Sequence, residues 1–297
     1  MSARPEPDNA RRHSLLLQAL REFFTDHGFV EVTTPLRLQA PAPEAEIEPI
    51  PAGDNAWLRT SPELQMKRLL AAGHERIFQI GPCFRRGEYG RRHRPEFTLL
   101  EWYEAGAGYR DLIPFTHDLL CRAADTLQVA ADRVARTATV TVAEAFARFA
   151  DTPLDQALAD DRFEEVLVTQ VEPALGRDGP TFLLDYPRAH AAFAVVRQGP
   201  PPVAERWEVY LDGIELANAC TELRDAGEQR RRFDTALAHK RRQAQPTWPV
   251  DEAFLAELPA MPPAAGCALG VERLLMALCE LDDIAHAFPF PPMCDGR

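Results

Sequence analysis

RIFQIGPCFRRGEYGRRHRPEFTLLEWYEA, residues 76–105, reads as one long hairpin. Arg76–Phe84 alternates enough to form a strand, and Phe97–Tyr103 is a second one, apolar and aromatic, so the run between them becomes the loop. That loop, Arg85–Arg94, carries five arginines and gathers positive charge at one sheet edge. A solvated charge run is the plain reading of those arginines taken alone; their surroundings change it.

Upstream, Ser14–His27 places Leu16, Leu20 and Phe24 at helical spacing, with Gly28 as the stop. FVEVTTP, residues 29–35, follows as a short β-branched strand whose terminal proline suits an edge. Residues 40–54 form a Pro-, Ala- and Glu-rich loop. Thr60-Ser61-Pro62-Glu63 opens a second helix that runs through Ala72, with Ser61 as N-cap and Pro62 at the first helical position. Downstream, Asp111–Arg177 is largely helical and suggests no chemistry, strands return at Thr181–Pro187 and Arg206–Ala219, and Gly266–Leu278 passes from strand into helix. Hairpins and helices in this irregular order predict an α+β fold around a mainly antiparallel sheet. No repeat or linker divides the chain, so residues 1–297 are expected to form a single domain.

With 297 residues, 46% of them hydrophobic, the chain can bury a large core, and no segment is long and apolar enough to span a membrane. Met1–Arg12 is polar and lacks a secretory pattern, which predicts a cytoplasmic protein. The six cysteines (Cys83, Cys121, Cys220, Cys267, Cys279, Cys294) are scattered and read as free thiols. A formal net charge of −12 argues against an extended nucleic-acid footprint, so any anion site must be local.

Asp212-Gly213 between WEVYL and IELAN signals a two-residue hairpin turn. Tyr210 then faces Glu215 across the ladder, and Glu208 shares their side of the sheet. Two readings stand: solvent-facing glutamates, or oxygen ligands for a Mg²⁺ carrying nucleotide phosphates. Arg273, near the start of the last helix, opposes the positive end of the macrodipole unless an anion binds there, where Gly270 allows close backbone approach; a surface arginine in solvent is the alternative.

Residues 76–105 resemble motif 2 of the class II aminoacyl-tRNA synthetases, GCALGVERLLMAL resembles motif 3, and the first helix with FVEVTTP resembles the dimer-forming motif 1. TSPELQMKRLL, RPEFTLLEWY and GIELANACTEL are similar to the lysyl enzymes. The resemblance spans roughly Arg12–Leu278 and implies a class II synthetase-like mainly antiparallel sheet flanked by helices. It implies that Arg85 holds the α-phosphate of ATP and stabilises charge there, that Arg273 grips the γ-phosphate, that His93 lies near the leaving phosphates and that Phe97 stacks on adenine. Gly87, Glu88, Arg94, Leu216 and Gly270 complete the implied ATP site, and Glu208 and Glu215 match the acids that bind Mg²⁺. The implied pocket for a diamino acid is Ser61, Pro62, Glu63, Glu101, Tyr103, Asn218, Glu222 and Ala268. Several carboxylates in one small site suit a dicationic substrate. The hairpin phase, however, puts Glu222 on the opposite face from Glu215, so joining them requires a bulge or strand end near Asn218.

Motif 1 begins near Arg12, without the anticodon-binding barrel that precedes it in a full lysyl-tRNA synthetase, and the chain therefore resembles the elongation factor P lysine ligase subfamily. That resemblance implies transfer of lysine or β-lysine to a lysine of elongation factor P, a homodimer, and no stable tRNA binding. Arg94 stands where HNPEF has asparagine, Gly87 where R-x-E has glutamate, Cys220 where an aromatic residue is common, and Ala268 where the tRNA-charging enzymes have glycine. The alternatives are a truncated enzyme that aminoacylates tRNA and a non-catalytic paralogue that senses an amino acid. A sensor has no need of Arg85, Glu208, Glu215 and Arg273 together.

Overall fold

The computed structural model describes residues 7–290; residues 1–6 and 291–297, with Cys294 among them, lie outside that range. The elements, in chain order, begin with α1 (Pro7–Asp26), β1 (Val30–Glu31), β2 (Arg37–Leu38), β3 (Trp57–Leu58), α2 (Glu63–Ala71), β4 (Arg76–Phe84) and β5 (Glu96–Ala105). The middle holds α3 (Leu112–Thr126), α4 (Asp132–Ala135), β6 (Ala138–Thr141), α5 (Val142–Phe149), α6 (Leu154–Ala159), α7 (Phe163–Val166) and β7 (Thr181–Pro187). The last part holds β8 (Val196–Arg197), β9 (Val203–Leu211), β10 (Ile214–Thr221), α8 (Ala226–Arg242), α9 (Glu252–Glu257), β11 (Ala264–Gly270) and α10 (Val271–Leu278). Among the described residues no helix is long and apolar enough to cross a membrane.

A nine-stranded sheet organises the chain in the order β1-β4-β5-β11-β10-β9-β7-β6, with β8 added beside β9. Only β1–β4 and β6–β7 pair in parallel, so the sheet is mainly antiparallel, as expected of an α+β fold. One face carries Phe78, Leu100, Trp102, Trp207, Val209, Cys267 and Leu269 into a core shared with Leu16, Leu20 and Phe24 of α1 and Leu274 of α10. The alternate residues, Gln79, Glu101, Ala268, Asn218 and Glu208, form a single cross-strand row on the other face. Strand alternation therefore separates core from chemistry.

Several expected boundaries move. Helix α1 starts at Pro7 rather than Ser14 and ends where Gly28 takes φ +77°. In FVEVTTP only Val30 and Glu31 pair with Ile77 and Phe78; beyond them the Thr34 amide donates to the Gln79 side chain, and the segment leaves the ladder. Helix α2 begins at Glu63 with Pro62 as its cap residue, although the Ser61 hydroxyl does accept the Glu63 amide at 2.9 Å. The helical middle contains a strand, β6, that periodicity missed because four residues are too few to set a period.

The Asp212-Gly213 turn forms as read, with φ +51° and +69°, the pair of left-handed residues that a tight twisted hairpin needs. Tyr210 faces Glu215, but the next pair is Val209–Ala217, so Leu216 is an extra, bulged residue. The bulge restores phase: Asn218 lies opposite Glu208, and Glu215, Asn218 and Cys220 share one face. The break required near Asn218 exists two residues earlier.

Candidate active site

Above the polar row lies a cavity of about 950 Å³. Arg85, Glu88, His93, Arg94 and Phe97 line it from the β4–β5 hairpin, Glu208, Glu215, Leu216 and Asn218 from the β9–β10 hairpin, and Ala268, Gly270 and Arg273 from the strand-to-helix unit. The arginine-loop hairpin, the β9–β10 hairpin and the strand-to-helix unit thus converge on one opening, which the first helix and FVEVTTP do not line. Gly87 does not line it; it takes φ +79° in the loop turn, a conformation that favours glycine.

The arginine loop is braced more than it is free. Arg86 pairs with Glu48 at 2.8 Å, Arg91 donates to the Asp282 carbonyl, and Arg92 to the Gly213 carbonyl at 2.7 Å. Arg94 is buried and spends its guanidinium on the Gly90 and His93 carbonyls and on Asp283 at 2.7 Å, closing the loop onto the residues after α10. Arg85 is the exception. It lies 5.0 Å from the Phe97 ring centroid, its Nε donates to the Thr60 carbonyl at a long 3.4 Å and its Nη1 lies 3.6 Å from Glu88, so its guanidinium is only loosely held and lines the cavity.

Arg273 meets Glu215 at 2.9 Å and the His93 Nε2 at 2.6 Å. Burial and the Arg273 charge hold the His93 imidazole below its usual range, so it is a neutral acceptor. Burial pushes the Glu215 carboxyl up, but Arg273 and Arg206 outweigh it and keep the group ionised. Glu208 accepts from the Tyr186 and Tyr210 hydroxyls and from Arg206, each at 2.5 Å, and burial raises its carboxyl while Arg206 and the Glu215 charge act on it in opposite senses. The two glutamates feel each other, as the hairpin geometry required.

The residues expected to form the amino-acid pocket assemble in a second cluster against the polar row. Ser61 donates to Glu101 at 2.6 Å and Tyr103 donates to its other oxygen at 2.8 Å. Glu63 and Glu222 converge on Lys67, which lies 2.6 Å from Glu222 and 4.4 Å from the Phe193 ring centroid. None of Ser61, Pro62, Glu63, Glu101, Tyr103 and Glu222 lines the open cavity; Asn218 and Ala268 border both. Burial, then Glu63, pushes the Glu101 carboxyl up to about 7, and burial raises Glu222 to about 7 against the pull of Lys67. Lys67 itself stays charged, because Glu222 and Glu63 overcome the burial that would lower it. Gly266 makes the cluster possible: a Cβ there would collide with the Tyr103 ring and the Glu222 carboxylate.

Two residues of this site escaped the sequence reading. Lys67 sits in an ordinary-looking amphipathic helix, where lysine is normally a solvent-facing residue, and nothing local marks it as fully buried. Arg206 bridges Asn218 at 2.9 Å and Glu208, with Tyr186 beneath its guanidinium. Its signal was available, since Arg206, Glu208 and Tyr210 alternate along one strand face.

The family model for class II tRNA synthetases (D, K and N) matches residues 6–294. A protein of Pectobacterium carotovorum named elongation factor P--(R)-beta-lysine ligase is 38% identical, covering 95% of this chain and 94% of the relative. Proteins with the same name from Klebsiella pneumoniae, at 37% over 96% of this chain and 95% of the relative, and Hamiltonella defensa, at 36% over 95% and 94%, are similar to the same extent.

Proposed function

Because the chain belongs to the class II tRNA synthetases, we propose that it activates lysine, with (R)-β-lysine preferred, as an aminoacyl-adenylate and transfers it to a lysine side chain of elongation factor P. The observation that supports this reading is the bulge at Leu216, which puts Glu215, Asn218 and Cys220 on one sheet face beneath the cavity that Arg85 and Arg273 line. The substrate and acceptor follow the relatives' names.

The chemistry asks little covalent work of the protein. The substrate carboxylate attacks the α-phosphorus of ATP, and pyrophosphate leaves. Arg85 neutralises the α-phosphate, Phe97 supplies a face for adenine, and Arg273 leaves Glu215 for the γ-phosphate, with His93 beside it. Glu208 and Glu215 are hard oxygen donors held on one face, which fits Mg²⁺; the ion when bound would offset phosphate charge. Glu101 receives one ammonium of the diamino acid, held in place by Ser61 and Tyr103, while Lys67 reduces the net charge of the three carboxylates around it. Ala268 lies between Glu101 and Asn218 and sets the depth of the pocket. Resemblance to motif 1, with exposed Val30 and Leu36 beside it, supports a homodimer.

Incubation with ATP, radiolabelled (R)-β-lysine and either elongation factor P or tRNA tests the acceptor. Label on the protein and not on the RNA is expected. Label on tRNA alone would replace this reading with that of a tRNA-aminoacylating enzyme.

A further inference from the structure

Glu44 lines the cavity yet has no task in the mechanism above. Among the described residues its carboxylate accepts no hydrogen bond and closes no ion pair. Its place is nevertheless fixed. Ala42 packs in the core beside Tyr103 and Phe193, the Pro41 carbonyl accepts from the Trp248 indole at 2.7 Å, and the Ala45 carbonyl accepts from Lys240 at 3.0 Å. Four residues on, the Glu48 carbonyl takes the Arg86 amide at 2.7 Å. The charged groups that act on it are Arg85, Glu63, Arg206 and Glu88, and its own charge is felt by Lys240. Glu44 therefore stands on the cavity wall between the arginine assigned to the α-phosphate and a carboxylate of the amino-acid cluster, close to where the activated carbonyl must lie.

The proposed transfer poses a problem that adenylate formation does not. An acceptor lysine arrives as an ammonium, which has no lone pair and cannot attack. A base must first take a proton, and it must be free, ionised and inside the cavity. Resting on the ligase reading, we propose that Glu44 is the base that deprotonates the acceptor ammonium. The carboxylate takes one proton and becomes a carboxylic acid. The freed amine forms a C–N bond to the adenylate carbonyl carbon as the C–O bond to phosphate breaks. AMP leaves with that electron pair and takes the second proton, and the third stays on the amide nitrogen. Burial, the largest influence on it, raises the Glu44 carboxyl to about 7, which suits a group that must accept a proton near neutral pH.

The test compares wild type, Glu44→Gln and Glu44→Asp in three assays, each with (R)-β-lysine and with α-lysine: exchange of pyrophosphate into ATP, hydroxamate formation with hydroxylamine, and amide formation on elongation factor P. Hydroxylamine is already unprotonated at neutral pH and needs no base. In Glu44→Gln, amide formation is expected to fall about a hundredfold relative to hydroxamate formation, with the loss shrinking as pH rises, because catalysis by a positioned base is worth roughly that or more. Glu44→Asp is expected to regain part of the amide rate. Equal losses in all three assays would assign Glu44 to adenylate formation and overturn the proposal, as would undiminished amide formation. No exchange by the wild type would instead overturn the ligase reading on which the proposal rests.

Discussion

Lys67 changes how the proposed amino-acid site balances its charge. Glu63, Glu101 and Glu222 face one small volume, and a buried ammonium already offsets them before any substrate arrives. Lys67→Met removes one partner of a buried network and is expected to cost about 3–5 kcal/mol of stability, read as a lowered midpoint in urea denaturation. The pH dependence has a definite sign. Glu101 and Glu222, raised to about 7, must ionise to accept an ammonium, so binding of a diamino acid releases protons and weakens as pH falls below about 7. Calorimetric titration near pH 6.5 in buffers of different ionisation enthalpy should show that release; buffer-independent heats would contradict it. For folding, the same raised values mean that their contribution is full below about 4.5 and is lost as pH rises toward about 7. The acids of this cluster were legible because motifs carry their types and spacing. Lys67 and Glu44 were not, since burial and an unpartnered position are properties of the packed chain.

At the scale of elements, the hairpin β9–β10 decides whether there is one site or two. The turn was readable from Asp212-Gly213, a dipeptide suited to left-handed backbone, and so was the Tyr210–Glu215 pairing. The bulge was readable only as a requirement, because nothing in Glu215-Leu216-Ala217 distinguishes a bulged strand from a regular one. Two deletions separate the cases. Removing Leu216 leaves Asn218 opposite Glu208 and is expected to keep the preference for diamino acids, whereas removing Cys220 turns Glu222 toward the core and is expected to abolish it. The KM for lysine in pyrophosphate exchange checks both. The same limits explain the shortened FVEVTTP strand: β-propensity was present, but the only neighbour, β4, offers two paired positions before the chain turns away.

Across the whole molecule, an acidic chain carries one arginine-rich loop at its cavity, and most of the arginines of that loop serve as braces. The fold class was legible because strands, hairpins and the final strand-to-helix unit have strong local signatures; the division between the open arginine-lined cavity and the buried acid cluster needed three dimensions. Sedimentation equilibrium is expected to give the mass of two copies, with Val30→Glu shifting it toward one. The central claim is that one sheet face activates a diamino acid with ATP. Its most direct test is exchange of pyrophosphate into ATP with α-lysine, both β-lysine enantiomers and arginine, using wild type and Glu222→Gln. The account predicts exchange with a lysine isomer that is lost in the variant; folded wild type that binds ATP and Mg²⁺ yet exchanges with no diamino acid would contradict it.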